Sequence, residues 1–276
     1  MRARGFVLFL IGWAWLAMPW AAGAEEWGHT EIKWQPLGRG LSFTKVEVLR
    51  EEEGVTTLAV VKIDPAANTF RVFHHSPQSI TAWQQELKAV VVFNGSYYYR
   101  DGTPCGLVIT DGKPLGPWRN ARMRGMFVAE PKGLSPDLPR ATILDLTRDA
   151  ITPQKLPWSQ GVQSFPLLLD ANERIRVHMS DKTARRSVIA TDRQGNILVF
   201  NTNSGYFTLY DLAQFLKESA FEVETALNLD GGTEAQLYIK TKDFEYFSPH
   251  AWETQLGTLL DRKEFQLPTV VAVFPR

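Results

Sequence analysis

The strongest constraint on this chain is a unit that occurs twice: a helical stretch, a short apolar run, then a polar break containing Asn. It reads AWQQELKAVVVFNGSYY at residues 82–98 and LAQFLKESAFEVETALNLDGG at residues 212–232. Ile80, Trp83 and Leu87 fall at helical spacing behind Ser79 as a plausible N-cap. Leu209, Leu212, Ala213 and Leu216 line one face of the second helix, where Thr208 and Asp211 resemble a capping box. The runs after each helix are too short for another helix and read as buried strands. The two units share a pattern and no detailed identity. If they pack side by side, both breaks emerge at one sheet edge and bring Asn94 near Asn228 and Asp230.

Most of the remaining chain reads as strands and turns. SFTKVEVLR and TTLAVVKID flank the turn-like EEEGV, TFRVFHH follows, and LPTVVAVF closes the chain. In GLVITDGKPL, Asp111-Gly112 is a two-residue hairpin signal, because a type I′ turn needs positive φ at both positions. SVIATDRQGNILVFNTN is a hairpin about Gln194-Gly195-Asn196. Residues 113–160, rich in Pro, Arg and Gly, read as an excursion from the core that caps a site. The expected fold class is α+β: a mixed, largely antiparallel central sheet with a few packed helices, forming a single domain over residues 25–276.

Residues 1–24 have a different character. Arg2 and Arg4 precede an apolar run to about Met18, and Ala22-Gly23-Ala24 offers small residues for cleavage. This is the layout of a secretory signal peptide, so the mature chain is expected in the periplasm or outside the cell, with no integral membrane segment. Cys105 is the only cysteine, so the exported chain has to hold together by packing. Its 44% apolar content, with nine Trp and sixteen Phe, is sufficient for that. The formal net charge is zero and no basic stripe interleaves with aromatics, which argues against a nucleic-acid partner.

The chemistry-bearing residues gather at the breaks. A strand ending in Asn228-x-Asp230-Gly231-Gly232 either turns tightly, with Asp230 capping its own backbone, or presents an amide, a carboxylate and open N–H groups to a sugar or phosphate. Thr233 and Glu234 follow. Paired carboxylates are the usual equipment for glycoside cleavage, but in an extended TEAQLYIK strand Glu234 would face away from Asp230 and be solvated. Arg185-Arg186 open a strand, where alternation sends one inward and one outward. An inward guanidinium suits either a phosphodiester or an internal carboxylate. Asn94 with Tyr97 in NGSYYY offers rings and amides of the kind that contact sugars. The histidines form no zinc motif, and no metal is assigned, although oxygens at Asn228 and Asp230 on a glycine turn would also suit calcium.

In order, VVVFNGSYY, GLVITDGKPL, RRSVIATDRQGNILVF, a helix and LNLDGGTEAQLYI resemble the phosphodiester glycosidase domain, the family of the mannose-6-phosphate uncovering enzyme. The resemblance covers about residues 85–275. It implies hydrolysis of the sugar C1–O bond of a sugar-1-phosphodiester, leaving a phosphomonoester on the other fragment; no cofactor is assigned, calcium at Asn228 and Asp230 being the one alternative. It also implies a site at Asn94, Arg186, Asn228, Asp230, Gly231 and Gly232, with Arg186 on the phosphodiester, Asp230 as acid/base or nucleophile, and the two Asn residues on sugar hydroxyls. This chain departs from the family pattern at Ser187, where Thr is usual, at Ser96-Tyr97, and at Thr233-Glu234, where a small residue and Ser are usual. The last departure adds a carboxylate to the signature. A non-catalytic glycan-binding module on the same scaffold is the alternative reading.

Overall fold

The structure, a computed structural model, describes residues 27–133, 137–149, 151–248 and 265–276. The signal-peptide reading of residues 1–24 lies outside the described residues. Strands β1 (Trp27–His29) and β2 (Gln35–Gly38), in a segment that carries no strand pattern, lead into the hairpin β3 (Leu41–Arg50) and β4 (Glu53–Ile63). Next come β5 (Asn68–Gln78), helix α1 (Ile80–Leu87), β6 (Val91–Asn94), β7 (Val108–Thr110), β8 (Lys113–Leu115), β9 (Gly125–Pro131) and β10 (Ala141–Asp145). Then follow β11 (Trp158–Ser164), β12 (Leu167–Leu169), β13 (Ser187–Asp192), β14 (Ile197–Thr202) and helix α2 (Leu209–Glu218). The chain continues with β15 (Val223–Asn228), β16 (Leu237–Lys240), β17 (Glu245–Ser248) and β18 (Leu267–Pro275).

The strands form three sheets, where one central sheet was expected. The first runs β1-β3-β4-β14-β13-β15-β12, with β2 also on β3; the second is β10-β9-β11-β7-β8; the third is β17-β16-β6-β18-β5. Every ladder among the described residues is antiparallel, so the sheets are not mixed. The fold is correspondingly richer in β-structure than a sheet with several packed helices. The physical reason is that all three sheets bury one face in a shared core. Phe43, Ile189 and Leu227 of the first sheet meet Phe127 and Val162 of the second and Phe70, Phe93 and Val271 of the third. Among the described residues, helices cover the outer faces of the first and third sheets. Leu212, Ala213 and Leu216 of α2 cover Val188 and Ala226, and Ile80 and Trp83 of α1 cover Val92 and Val270. Each fully buried Leu, Ile or Phe of this kind stabilises the fold by roughly 1.5–3 kcal/mol.

Both helix starts follow their sequence signals. Ser79 Oγ accepts from Ala82 N, and Thr208 Oγ1 accepts from Asp211 N. Caps of this type contribute about 1 kcal/mol each. The β7–β8 turn has positive φ at Asp111 and Gly112, as the hairpin requires. Residues 113–160 supply β8, β9 and β10 and open β11, with Phe127 and Ala129 in the shared core.

The two helix–strand units do not lie in one sheet. β6 belongs to the third sheet and β15 to the first. After β15 the chain leaves the first sheet, turns through Asp230-Gly231-Gly232, and enters the third as β16, beside β6. The double glycine is therefore the point where the chain changes sheets.

Candidate active site

The sheet change is stitched on both sides. Leu229 N donates to Ser187 O and Gly232 N to Arg185 O, which ties the turn to the segment entering β13. Asp230 N donates to Gly95 O, while Asn94 Nδ2 donates to Asp230 O at 2.8 Å and Asn94 Oδ1 accepts from Gln236 N, which ties it to the end of β6. Asn94, Asn228 and Asp230 thus meet as expected, though at a seam between two sheets instead of along one edge. The two glycines serve this seam differently. Gly232 has φ +69°, a left-handed conformation. Gly231 is extended, but a Cβ there would stand 2.9 Å from Arg185 O, so it is needed for close approach.

Glu234 differs from its strand-face expectation. Gly232–Glu234 form a single 3-10 turn before β16, which carries Glu234 back over the site. Its Oε2 accepts from Thr233 Oγ1 at 2.6 Å and its Oε1 lies 3.4 Å from Tyr98 Oη. Asp230 Oδ1 accepts one hydrogen bond, from Gly231 N at 2.9 Å. Burial, reinforced by the neighbouring Glu234 charge, pushes the Asp230 carboxyl up to about 7, against the opposing Gly231 N–H. Burial and then Glu234 and Asp230 raise Tyr98 to about 12.

The arginines also depart from simple alternation. Both precede β13, so the strand pleat does not orient them. Arg186 is buried, with 9% of its surface exposed. Its Nε donates to Phe207 O and its Nη2 to Lys182 O, and it has no carboxylate partner among the described residues. Its Nη1 lies toward the turn, 3.9 Å from where a Cβ on Gly231 would stand. Burial lowers its pKa, with the Tyr97 hydroxyl opposing, yet a guanidinium remains protonated. Arg185, expected to point away if Arg186 points in, is half-buried instead and grips the same turn, Nε to Gly232 O at 2.9 Å.

Tyr97 and Asn228 complete the cluster. Asn228 is fully buried, and its Nδ2 donates to Tyr97 Oη at 2.8 Å and to Phe165 O. These oxygens fix which side the amide nitrogen occupies. Asn228 Oδ1 is left buried with no hydrogen-bond partner among the described residues, a costly state unless something fills it. Tyr97 stacks on Phe165 with ring centroids 4.6 Å apart, and burial followed by the Asp230 charge drives its hydroxyl far above the ordinary tyrosine value. Ser96 Oγ donates to Ser164 Oγ, which donates to Asn228 O, and this buried relay holds the strand end.

All nine sequence candidates (Asn94, Tyr97, Arg186, Asn228, Asp230, Gly231, Gly232, Thr233 and Glu234) therefore lie at or directly against one seam. Sequence reasoning passed over Tyr98, Phe165 and the grip of Arg185. Tyr98 stood in the quoted triplet, but alternation gave no means to choose it. Among the described residues, no three His, Cys, Asp or Glu side chains form a metal-holding group. No described helix is long and apolar enough to cross a membrane.

With this geometry in hand, comparison with known proteins decides the family. A family model described as phosphodiester glycosidase matches residues 87–274. The chain belongs to the phosphodiester glycosidase family. That span includes every candidate residue. Among solved structures, the chain is similar to the zebrafish N-acetylglucosamine-1-phosphodiester alpha-N-acetylglucosaminidase catalytic domain auto-inhibited by its pro-peptide, at 17% identity and TM-score 0.61, over 91% of this chain and 88% of that one. It is also similar to a hypothetical protein from Synechocystis at 16% identity and TM-score 0.58, covering 90% of this chain and 64% of that one. At these identities the two structures speak for the fold alone. No curated protein matches the chain.

Proposed function

We propose that this phosphodiester glycosidase family member is an exported hydrolase that cleaves the sugar C1–O bond of a sugar-1-phosphodiester or related glycan. In this reading residues 1–24 are a removed leader, residues 25–276 are the mature domain, and the protein works in the periplasm or outside the cell. The observation that carries the proposal is the Asp230–Glu234 pair on one short turn beside a buried guanidinium that no described carboxylate neutralises.

Arg186 binds the phosphodiester through its free Nη1 and stabilises negative charge as it builds on the departing phosphate. A phosphate monoester is a good leaving group and needs little proton assistance, so the demanding proton transfer is on the water side. Asp230, with a pKa near 7, is matched to that task at neutral pH. Water attacks C1, its proton passes to Asp230, the C1–O bond breaks, and both electrons of that bond leave with the phosphomonoester. Glu234 maintains the raised Asp230 pKa and offers negative charge to the positive character at C1. Asn94 supports the turn, Thr233 holds Glu234, and Asn228, fixed by Tyr97 and Ser164, holds the end of β15 against the site.

The test is release of a phosphomonoester from a panel of sugar-1-phosphodiesters, followed by phosphorus NMR, with wild type and Asp230→Asn. Equal release by the two proteins would overturn the role of Asp230. A second reading, a glycan-binding module without turnover, is favoured by the Tyr97–Phe165 ring pair beside the Asn228 amide, groups of the kind that contact sugars. Saturable binding of the same panel with no product would establish that reading instead.

A further inference from the structure

Beside the seam lies a cleft of about 530 Å³ whose lining includes Phe165, Pro166, Arg122, Arg124 and Arg176. A second cleft of about 680 Å³ shares Ala121, Arg124 and Thr147 with it and adds Trp118 and Arg119. Phe165 is common to cleft and seam: its ring stacks on Tyr97, and its carbonyl accepts from Asn228.

The charges around these clefts are unequal. Arg176 is neutralised by Asp145 at 3.1 Å and Asp170 at 2.9 Å, and Asp145 is the carboxylate lining the first cleft. Asp149 lines the second. Arg119, Arg122 and Arg124 have no carboxylate partner among the described residues. Arg124 Nε donates to Ala121 O, and Arg119 sits 4.4 Å over the Trp118 ring. Three uncompensated guanidinium groups within six residues are a local excess, since the whole chain has a formal net charge of zero. The loop that carries them is anchored. Asn120 Nδ2 donates to Cys105 O, Gln163 Nε2 donates to Met123 O, and the Trp118 ring packs against the outer core of the second sheet.

We propose that the Trp118–Arg124 loop and its clefts form a subsite for a second phosphate, so that the substrate is a glycan chain carrying repeated phosphodiesters. The proposal rests on the hydrolytic reading for its link to substrate, but not for its chemistry. Planar guanidinium groups pair with phosphate oxygens in forked geometry, and the Trp118 ring, packed on the outer core with Arg119 over it, holds the loop in place. Phe165 then separates the phosphate being processed from the next one along.

The test is calorimetric binding of a short oligo(glycerol phosphate), which has repeated phosphodiesters but no sugar C1–O bond. Binding is therefore read without turnover, and its outcome is independent of whether any glycoside is hydrolysed. Expected for wild type is binding about tenfold tighter than to glycerol phosphate alone, as a second charge-assisted contact implies, weakening steeply with salt. Arg122→Gln/Arg124→Gln removes that gain with Tm unchanged. Should the double variant unfold, Arg122→Gln alone carries the test with a smaller loss, because its exposed side chain makes no hydrogen bond or ion pair among the described residues. Retained oligomer binding in a folded variant would overturn the subsite, as would equal binding of a neutral glucose oligomer. Equal loss in the control Arg39→Gln/Lys242→Gln would show diffuse surface attraction, and the assignment would fall.

Discussion

Two of the three Asp-Gly pairs in this molecule, Asp111-Gly112 and Asp230-Gly231, behave in opposite ways. At Asp111-Gly112 between β7 and β8, the carboxylate is satisfied: Arg71 reaches it at 2.8 Å and Gln160 Nε2 at 2.7 Å. Burial works against its charge, but those hydrogen bonds and the Arg71 charge hold Asp111 below the usual carboxylate range. At Asp230-Gly231 no cation among the described residues makes a contact with the carboxylate, one N–H does, and burial with Glu234 raises it to about 7. The arginines repeat the contrast, with Arg176 spanning two aspartates while Arg186 is held by backbone carbonyls. A local sequence pair therefore says little about function. What distinguishes the candidate site is uncompensated charge kept out of water, a pattern that clusters where catalysis needs shifted pKa values.

The sharpest way to break this comparison is to remove the two carboxylates in turn. Asp230→Asn should lower kcat by roughly 10²–10⁴-fold, the range of a general acid or base, while Asp111→Asn leaves turnover unchanged. Equal effects in a phosphomonoester-release assay would erase the distinction. Arg186→Lys keeps the charge and loses the planar fork, and should lower kcat/KM about 10²–10³-fold. Arg176→Lys, at the paired arginine, should change Tm and not rate.

The next effect is on stability with pH. The folded Asp230 carboxyl binds its proton more tightly than the unfolded one, because its pKa is raised from 3.8 to about 7. Its charge therefore costs stability progressively as pH rises through that window. Asp230→Asn should raise Tm relative to wild type at pH 8 and leave it nearly unchanged at pH 3.5. Asp111 has the opposite sign, contributing stability above its unfolded pKa that is lost as pH falls. Identical pH profiles of Tm for wild type and Asp230→Asn would refute the raised value.

Smaller effects sharpen the picture of the seam. Gly231→Ala places a methyl against Arg185 O, 2.9 Å away, and should destabilise by about 1–3 kcal/mol and reduce turnover, read by urea unfolding and by rate. Asp111→Asn should cost below about 1 kcal/mol, because its ion pair with Arg71 is half-exposed and screened by solvent.

Much of the site was legible because it is short-range chemistry. LNLDGG, RRS and FNGSYY each left a purely structural alternative open, and it is their order along the chain that carries the resemblance to the family. Glu234 was misjudged because strand periodicity was extended one turn too early across Thr233-Glu234, where the chain is still changing sheets. The expectation of one central sheet failed for a related reason. β6 and β15 look alike along the chain, and nothing local states that one pairs with β18 and the other with β13.

By itself the sequence determined most of the strands, the two capped helices, the β7–β8 hairpin, and the residue types available at the two breaks and at Arg185-Arg186. These follow from periodicity, capping and turn chemistry, which act over a few residues. Tertiary structure alone decided that three sheets share one core, that the double glycine carries the chain from the first sheet to the third, and that Asp230 meets Asn94 there with Arg186 unneutralised nearby. Burial and electrostatic compensation depend on what packs around a group from distant parts of the chain, so the pKa that marks Asp230 arises only in the folded molecule.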